Sequence, residues 1–167
     1  KTNGYPDAWR GLAVASKAQG MYVPTFSMFD STAFRAVFAS EVNRNRLADQ
    51  IVALVNRSNA DGAHIDVEMF GPVPSGAKAG FSAFAERLRL LLGTKHLSFF
   101  LPANDWADAY DEARLARVAD FLAVQGYDLH WKTGPEAGPV APVRGYSLSW
   151  QQIVDRYAAL GVPRRKV

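Results

Sequence analysis

The sequence predicts an α/β fold: an incomplete (β/α)8 barrel of the TIM type, with about four to five βα units present and the first and last strands missing. Three observations predict it. Short β-rich runs alternate with stretches of helical periodicity, the pattern of parallel strands joined by crossover helices. Two Gly/Pro-rich segments, 70–80 and 132–146, each follow the C-terminal end of a strand, the end that carries the functional loops of a barrel. The chain has 167 residues, whereas a closed eight-stranded barrel typically needs about 250. The competing architecture is an open doubly wound sheet, weakened because no G-x-G-x-x-G loop follows a strand.

Taken in order, residues 8–19 read as a helix closed by Gly20, a residue suited to a helix C-terminus. Residues 21–29 read as the first strand. Leu47, Ile51, Leu54 and Val55 fall at helical spacing and mark a helix over 43–59. The second strand is 63–68. Phe81, Phe84, Leu88, Leu91 and Leu92 mark the next helix, and 97–101 is a compact apolar strand. Leu115 and Val118 sit on a short helix before a strand at 121–127. Ser149 with Gln152 forms a capping box for a last helix, whose stripe is Ile153, Tyr157 and Leu160 and which ends at Gly161. The tail Gly161-Val162-Pro163 reads as the approach to a further strand. Lys1 stands where a methionine would, and no signal-peptide pattern follows, which suggests a fragment or a processed chain. Residues 1–167 are then one partial barrel domain.

Composition excludes several classes of function. Cysteine is absent, which removes disulfide frameworks, thiolate metal sites and cysteine nucleophiles. The net charge of +3 is matched by Arg164, Arg165 and Lys166 alone, so no basic face for nucleic acid is expected. No apolar run approaches the ~20 residues of a membrane span.

The segment that carries chemistry is Asp61-Gly62-Ala63-His64-Ile65-Asp66-Val67-Glu68. Strand side chains alternate, so His64, Asp66 and Glu68 share one face while Ile65 and Val67 share the other. Barrel interiors prefer branched apolar residues, and three ionisable groups there are costly unless paired. Residues two apart lie roughly 6–7 Å apart along a strand, so Asp66 and Glu68 sense each other. Repulsion and partial desolvation raise the proton affinity of one of them, as leaving-group protonation requires. Glu68, nearer the mouth, takes the acid role; Asp66 orients a substrate group and modulates it. Both carboxylates spring from one strand, so the nucleophile must come from elsewhere, and a sugar 2-acetamido group can serve. A purely structural strand and a His64/Asp66/Glu68 metal site are the competing readings. Neighbouring positions on one strand rarely converge on one ion, so no metal and no organic cofactor are expected.

These residues resemble glycoside hydrolase family 18, the chitinase-like family, whose signature strand reads D-G-x-x-x-D-x-E. Asp61, Gly62, Asp66 and Glu68 are in place, while His64 stands where a further Asp is usual. The segment Val124-Gln125-Gly126-Tyr127-Asp128 resembles the family's M-x-Y-D, with Gln125 for Met. Asp128-Leu129-His130-Trp131, followed by Gly138-Pro139-Val140-Ala141-Pro142, resembles bacterial members of the spore-cortex and cell-wall type. Weaker echoes are 24–27 and 97–102.

The resemblance implies a retaining glycosidase that cleaves β-linked N-acetylglucosamine glycans, peptidoglycan or chitin, by substrate-assisted catalysis. Glu68 would be acid and base, Asp66 and Tyr127 would hold the acetamido group, and Asp128 would line the same subsite. Gln125, His64, Trp131 and Ser27 are the remaining candidates for substrate binding. The implied partner is a polysaccharide, and the implied location is secreted or cell-wall associated. The alternative is a lectin-like relative that binds sugar without turnover. Trp106 is expected to bury area, Asn104 and Asp105 to form a turn, His130 to be a loop residue, Trp150 to pack, and the Arg-rich tail to be a solvated turn.

Overall fold

The computed structural model describes residues 7–69 and 71–167. Phe70, at the head of the first Gly/Pro-rich segment, lies outside them. The elements run α1 (Asp7–Gln19), β1 (Thr25–Met28), α2 (Ser31–Phe38), α3 (Glu41–Arg57), β2 (Gly62–Val67), α4 (Ser75–Leu92), β3 (His96–Leu101), α5 (Glu112–Val118), β4 (Phe121–Val124) and α6 (Trp150–Ala159). A short 3₁₀ turn, Arg164–Lys166, follows.

The four strands form one parallel sheet in the order β1-β2-β3-β4. Each new strand is added on the same side of the last, with no reversal of direction. A doubly wound sheet reverses at a switch point and a barrel does not. The chain is therefore a barrel arc of four strands, and the expected incomplete barrel stands.

The expected strand at 21–29 pairs only over Thr25–Met28, and that at 121–127 only over Phe121–Val124. After Gln125 the chain leaves the sheet, and Asp128 takes a left-handed backbone with φ of 53°. The capping box at the last helix differs from expectation. Ser149 Oγ bonds the Gln152 side chain at 3.1 Å and caps no backbone N–H.

Helix α2 was not expected, and its local signals are clear. Asp30 accepts from the N–H groups of Thr32 and Ala33 at 2.7 and 2.9 Å, an N-cap that satisfies two orphan donors. Phe34 and Phe38, one turn apart, are fully buried. They enter an aromatic cluster with Phe81 and Phe84 of α4, Phe99 of β3 and Tyr110, with centroids 4.8 to 6.1 Å apart. Edge-on pairs of this kind add about 0.5–1.5 kcal/mol each beyond the area they bury. The outward-facing Ile65, Val67, Leu97 and Leu101 pack into the same core.

α2 and α4 approach so closely that a Cβ built on Gly80 would fall 1.7 Å from the Phe38 carbonyl oxygen. Gly80→Ala is expected to destabilise the domain by about 1–3 kcal/mol or more, since backbone must move to admit the methyl. A urea melt checks this through a lower midpoint with unchanged slope.

Candidate active site

The motif strand β2 is built by its ends. Asp61 precedes it and accepts the Tyr22 N–H at 2.7 Å and a Lys17 ion pair at 3.2 Å. The Tyr22 N–H, then Lys17, outweigh partial burial and hold the Asp61 carboxyl below its ordinary 3.8. Asp61 thus ties α1 and the approach to β1 onto β2. Gly62 follows because a Cβ there would sit 2.1 Å from the His96 carbonyl oxygen of β3.

Beyond this anchor the side chains alternate as expected. Ala63, Ile65 and Val67 are buried on the outer face, while His64, Asp66 and Glu68 are partly exposed on the inner one. Ser27 is the register partner of Asp66 on β1, and its hydroxyl donates to Asp66 Oδ2 at 3.1 Å. Asp66 Oδ1 is buried with no hydrogen-bond partner among the described residues. Glu68 stands one residue past the strand, its N–H bonded to the Met28 carbonyl at 3.0 Å. Burial first, and the Asp66 charge second, push the Glu68 carboxyl above its ordinary 4.5.

A residue missed by sequence reasoning fixes this acid. The Tyr110 hydroxyl donates to the Val67 carbonyl and accepts the Met69 N–H at 3.1 Å. It therefore grips the backbone on both sides of Glu68. Tyr110 is itself set by Asp105, whose carboxylate accepts the N–H groups of Ala109 and Tyr110 at 3.0 and 2.9 Å. Asp105 is thus the turn residue the sequence suggested. The signal for Tyr110 was weak: a lone tyrosine several residues past a strand, with no motif around it.

Glu68 opens into a hollow of about 400 Å³. Of the expected site residues, Gln125, Asp128 and Trp131 line it with Glu68; Tyr110, Asn104 and Trp106 join them. Trp106, expected to bury area, is instead 72% exposed, beside Asp105 in the turn. Trp131 is 46% exposed across the same hollow. Tyr127 is half-exposed and lies outside the hollow's lining, as do His64 and Asp66, while Ser27 lines a separate groove beside β1.

The long loop after β4 is tied down. Trp150 Nε1 donates to the Gly126 carbonyl at 2.9 Å, and its ring lies where a Cβ on Gly126 would stand. His130 is a buried loop residue: its Nδ1 bonds the Pro139 carbonyl at 2.8 Å and its ring covers Gly138. Lys166 of the basic tail bonds the carbonyls of Ala116 and Ala119, so that turn is fastened rather than only solvated. Among the described residues no group of three His, Asp or Glu side chains could hold a metal ion. Among them too, no helix is long and apolar enough to cross a membrane.

A carboxyl pushed above its ordinary value thus stands beside exposed indoles at the C-terminal end of a barrel strand, the face on which such barrels carry their functional sites. Residues 27–167 match Glycosyl hydrolases family 18, and the chain belongs to that family. It is 29% identical over 148 residues to an uncharacterized glycosylase, YvbX, of Bacillus subtilis, covering 81% of this chain and 42% of that protein. Its fold matches the C-terminal domain of a Desulfitobacterium hafniense protein taken to be a chitinase, with a TM-score of 0.82 and 26% identity, over 96% of this chain and 48% of that one. It also matches the chitinase domain of the Clostridium difficile spore coat protein CotE, with a TM-score of 0.81 and 17% identity, over 98% and 52%. The chain spans about half the length of these relatives.

Proposed function

We propose that this chain supplies the acid half of a retaining glycosidase for β-linked N-acetylglucosamine glycans. The observation that carries the reading is Glu68: burial and Asp66 favour its protonated form, and its side chain lines a hollow large enough for a sugar ring. A neutral carboxyl at that position can protonate the glycosidic oxygen as the bond to the leaving group breaks.

No second carboxylate faces Glu68 across the hollow among its described lining except Asp128, which belongs to the loop after β4. In the substrate-assisted route the acetamido carbonyl oxygen of the sugar attacks the anomeric carbon, giving an oxazolinium ion. By the family resemblance Asp66 and Tyr127 would orient that group from beyond the hollow's described lining, and Glu68 then takes a proton from the water that opens the ring. Gln125 and Asp128 bond sugar hydroxyls, and the indoles of Trp106 and Trp131 stack on ring faces. Chitin and peptidoglycan both present this linkage, and the resemblance of residues 128–142 to bacterial members of the spore-cortex and cell-wall type favours a cell-wall glycan, cut outside the cell or at its wall.

Two chromogenic substrates test the route in the full-length protein. One carries the 2-acetamido group and the other a 2-hydroxyl. Turnover of the first alone supports the reading; equal turnover of both rules out substrate assistance, and binding of the first without any turnover favours a lectin-like protein. Trp106→Ala is expected to raise KM for oligomers about tenfold with kcat little changed, since stacking on a ring acts on ground state and transition state alike. Steady-state kinetics on a chitooligosaccharide series reads this directly.

A further inference from the structure

The hollow beside Glu68 has two walls of different make. One is the rim of β2 and β3 with the turn that Asp105 and Tyr110 fix. The other belongs to the long segment after β4: Asp128, Leu129 and Trp131 line the hollow from its first limb and Leu148 from its last. Residues 125–149 form neither helix nor strand, so no ladder of backbone bonds sets that wall. Its shape has to come from side chains and a few single bonds. At their centre is His130, which lies between Leu129 and Trp131 in the chain and is 6% exposed.

His130 Nδ1 is 2.8 Å from the Pro139 carbonyl oxygen. A carbonyl only accepts, so that nitrogen carries a proton and donates it. The Leu129 N–H makes a second bond of the same kind, to the Val140 carbonyl at 2.9 Å. The imidazole also fills the place of a side chain at Gly138, where a Cβ would stand 2.7 Å from the ring. It meets the ring of Tyr146 edge-on, with centroids 5.0 Å apart. One side chain thus joins the first limb of the segment to its middle and to its last limb, just short of Leu148. Nε2 is buried with no hydrogen-bond partner among the described residues, and it stands 4.0 Å from Glu136 Oε2. A buried polar nitrogen left without a partner is costly. A phenylalanine would fill the same space without that cost, so what the position gains from histidine is the Nδ1–H.

We propose that His130 is a positioning residue for the sugar-binding wall: it holds the limbs of this segment together and thereby sets Trp131 and Asp128 against the hollow. Trp131 shows what depends on it. Its indole lies over Gly134, 3.1 Å from where a Cβ would stand, and its carbonyl accepts the Gly134 N–H at 2.9 Å. Those contacts are local and move with the segment, whereas the bonds of Leu129 and His130 tie it to residues further along. Trp131 is 46% exposed, so part of its indole stays open to a sugar ring. Asp128 keeps a left-handed backbone, φ 53°, which costs a residue with a Cβ some energy and persists where its surroundings hold it. His130 touches no substrate in this scheme and acts through its two neighbours. The part it plays in sugar binding rests on the glycosidase reading; the way it fastens the segment does not.

Two substitutions attack the same contact from opposite sides. His130→Phe keeps a ring and removes the N–H, while Gly138→Ala leaves His130 intact and drives a methyl into its ring. The chain has three histidines and four tryptophans, so ¹⁵N NMR of the full chain assigns the His130 ring by His130→Phe and the Trp131 indole N–H by Trp131→Phe. The expected result is a His130 ring with its proton on Nδ1, and a Trp131 signal that moves or broadens in both variants. With the trimer of N-acetylglucosamine as probe, the full-length protein is expected to bind about tenfold more weakly in each variant, and KM for oligomers to rise by the same factor with kcat within about twofold, since the wall acts on ground state and transition state alike. A neutral His130 ring protonated on Nε2 alone overturns the proposal. So does a Trp131 signal unmoved in both variants, or a fall in kcat with KM unchanged. Should the melt show His130→Phe unfolded, Gly138→Ala and the ring proton decide. Absence of binding and turnover in the unmodified protein counts against the glycosidase reading and leaves the two NMR signals to decide whether His130 fastens the segment.

Discussion

Glu68→Gln is expected to lower kcat on an N-acetylglucosamine oligomer by about 10³-fold or more, with no loss of stability. General acid catalysis contributes about 10²–10⁴-fold per proton transfer, and in the proposed route one carboxyl serves both the departure of the leaving group and the entry of water. Gln keeps the shape and one acceptor but has no proton to give at any accessible pH. The stability side follows from linkage. The folded protein holds the Glu68 proton more tightly than the unfolded chain, whose value is the ordinary 4.5. Stability from this group is therefore present below 4.5 and lost as pH rises through the folded value, because the native state must ionise a carboxyl it disfavours. A neutral Gln carries no such loss, so its Tm at pH 7 should equal or exceed that of the parent. The same logic fixes the pH profile: activity falls on the alkaline side as Glu68 loses its proton, and Asp66→Asn moves that limb to lower pH. Kinetics and thermal melts on the same preparations check both halves. Parental turnover in the Glu68→Gln variant ends the assignment, and a variant that is merely unfolded is recognised by its melt.

Tyr110→Phe is expected to cost about 1–3 kcal/mol of stability and to reduce kcat by about 10²-fold. The phenol hydroxyl, in a ring 1% exposed, is shared between the Val67 carbonyl and the Met69 N–H. Removing it leaves two backbone groups without partners in a place water does not reach, and each unsatisfied group carries its desolvation penalty. Those groups flank Glu68, so the acid loses its fixed orientation, and a shift of about 1 Å in a reacting group is enough for such a loss. The pairing of effects separates this from ordinary core damage. Phe84→Ala, in the same aromatic cluster but away from Glu68, should destabilise by about 3–5 kcal/mol and leave kcat of the folded fraction near the parental value.

Much of the site was legible because it lies on one strand. Period-two alternation puts His64, Asp66 and Glu68 on one face whatever the rest of the fold does, and the structure keeps them there. Gln125, Asp128 and Trp131 were legible as a motif, and they meet Glu68 because β4 and β2 share a sheet and end at the same rim. What escaped depends on long-range placement. Tyr110 acts 41 residues away from Met69, through a turn whose geometry Asp105 sets. Trp106 was misread because exposure of an indole depends on which way that turn faces, and composition is silent on this. Helix α2 was readable locally from Asp30, Phe34 and Phe38. Its omission came from its length of eight residues, too short for a sustained periodic signal. The order of strands, and with it the choice between barrel and doubly wound sheet, rests on pairing that no single segment encodes.

The account stands on a carboxyl that keeps its proton beyond the usual range, and the direct measurement is a ¹³C NMR titration of the Glu68 side chain. The account predicts a midpoint above 4.5, falling in Asp66→Asn but staying above the ordinary value, since burial is the larger cause. A midpoint at or below 4.5 in the parent, unmoved by the substitution at Asp66, would contradict it.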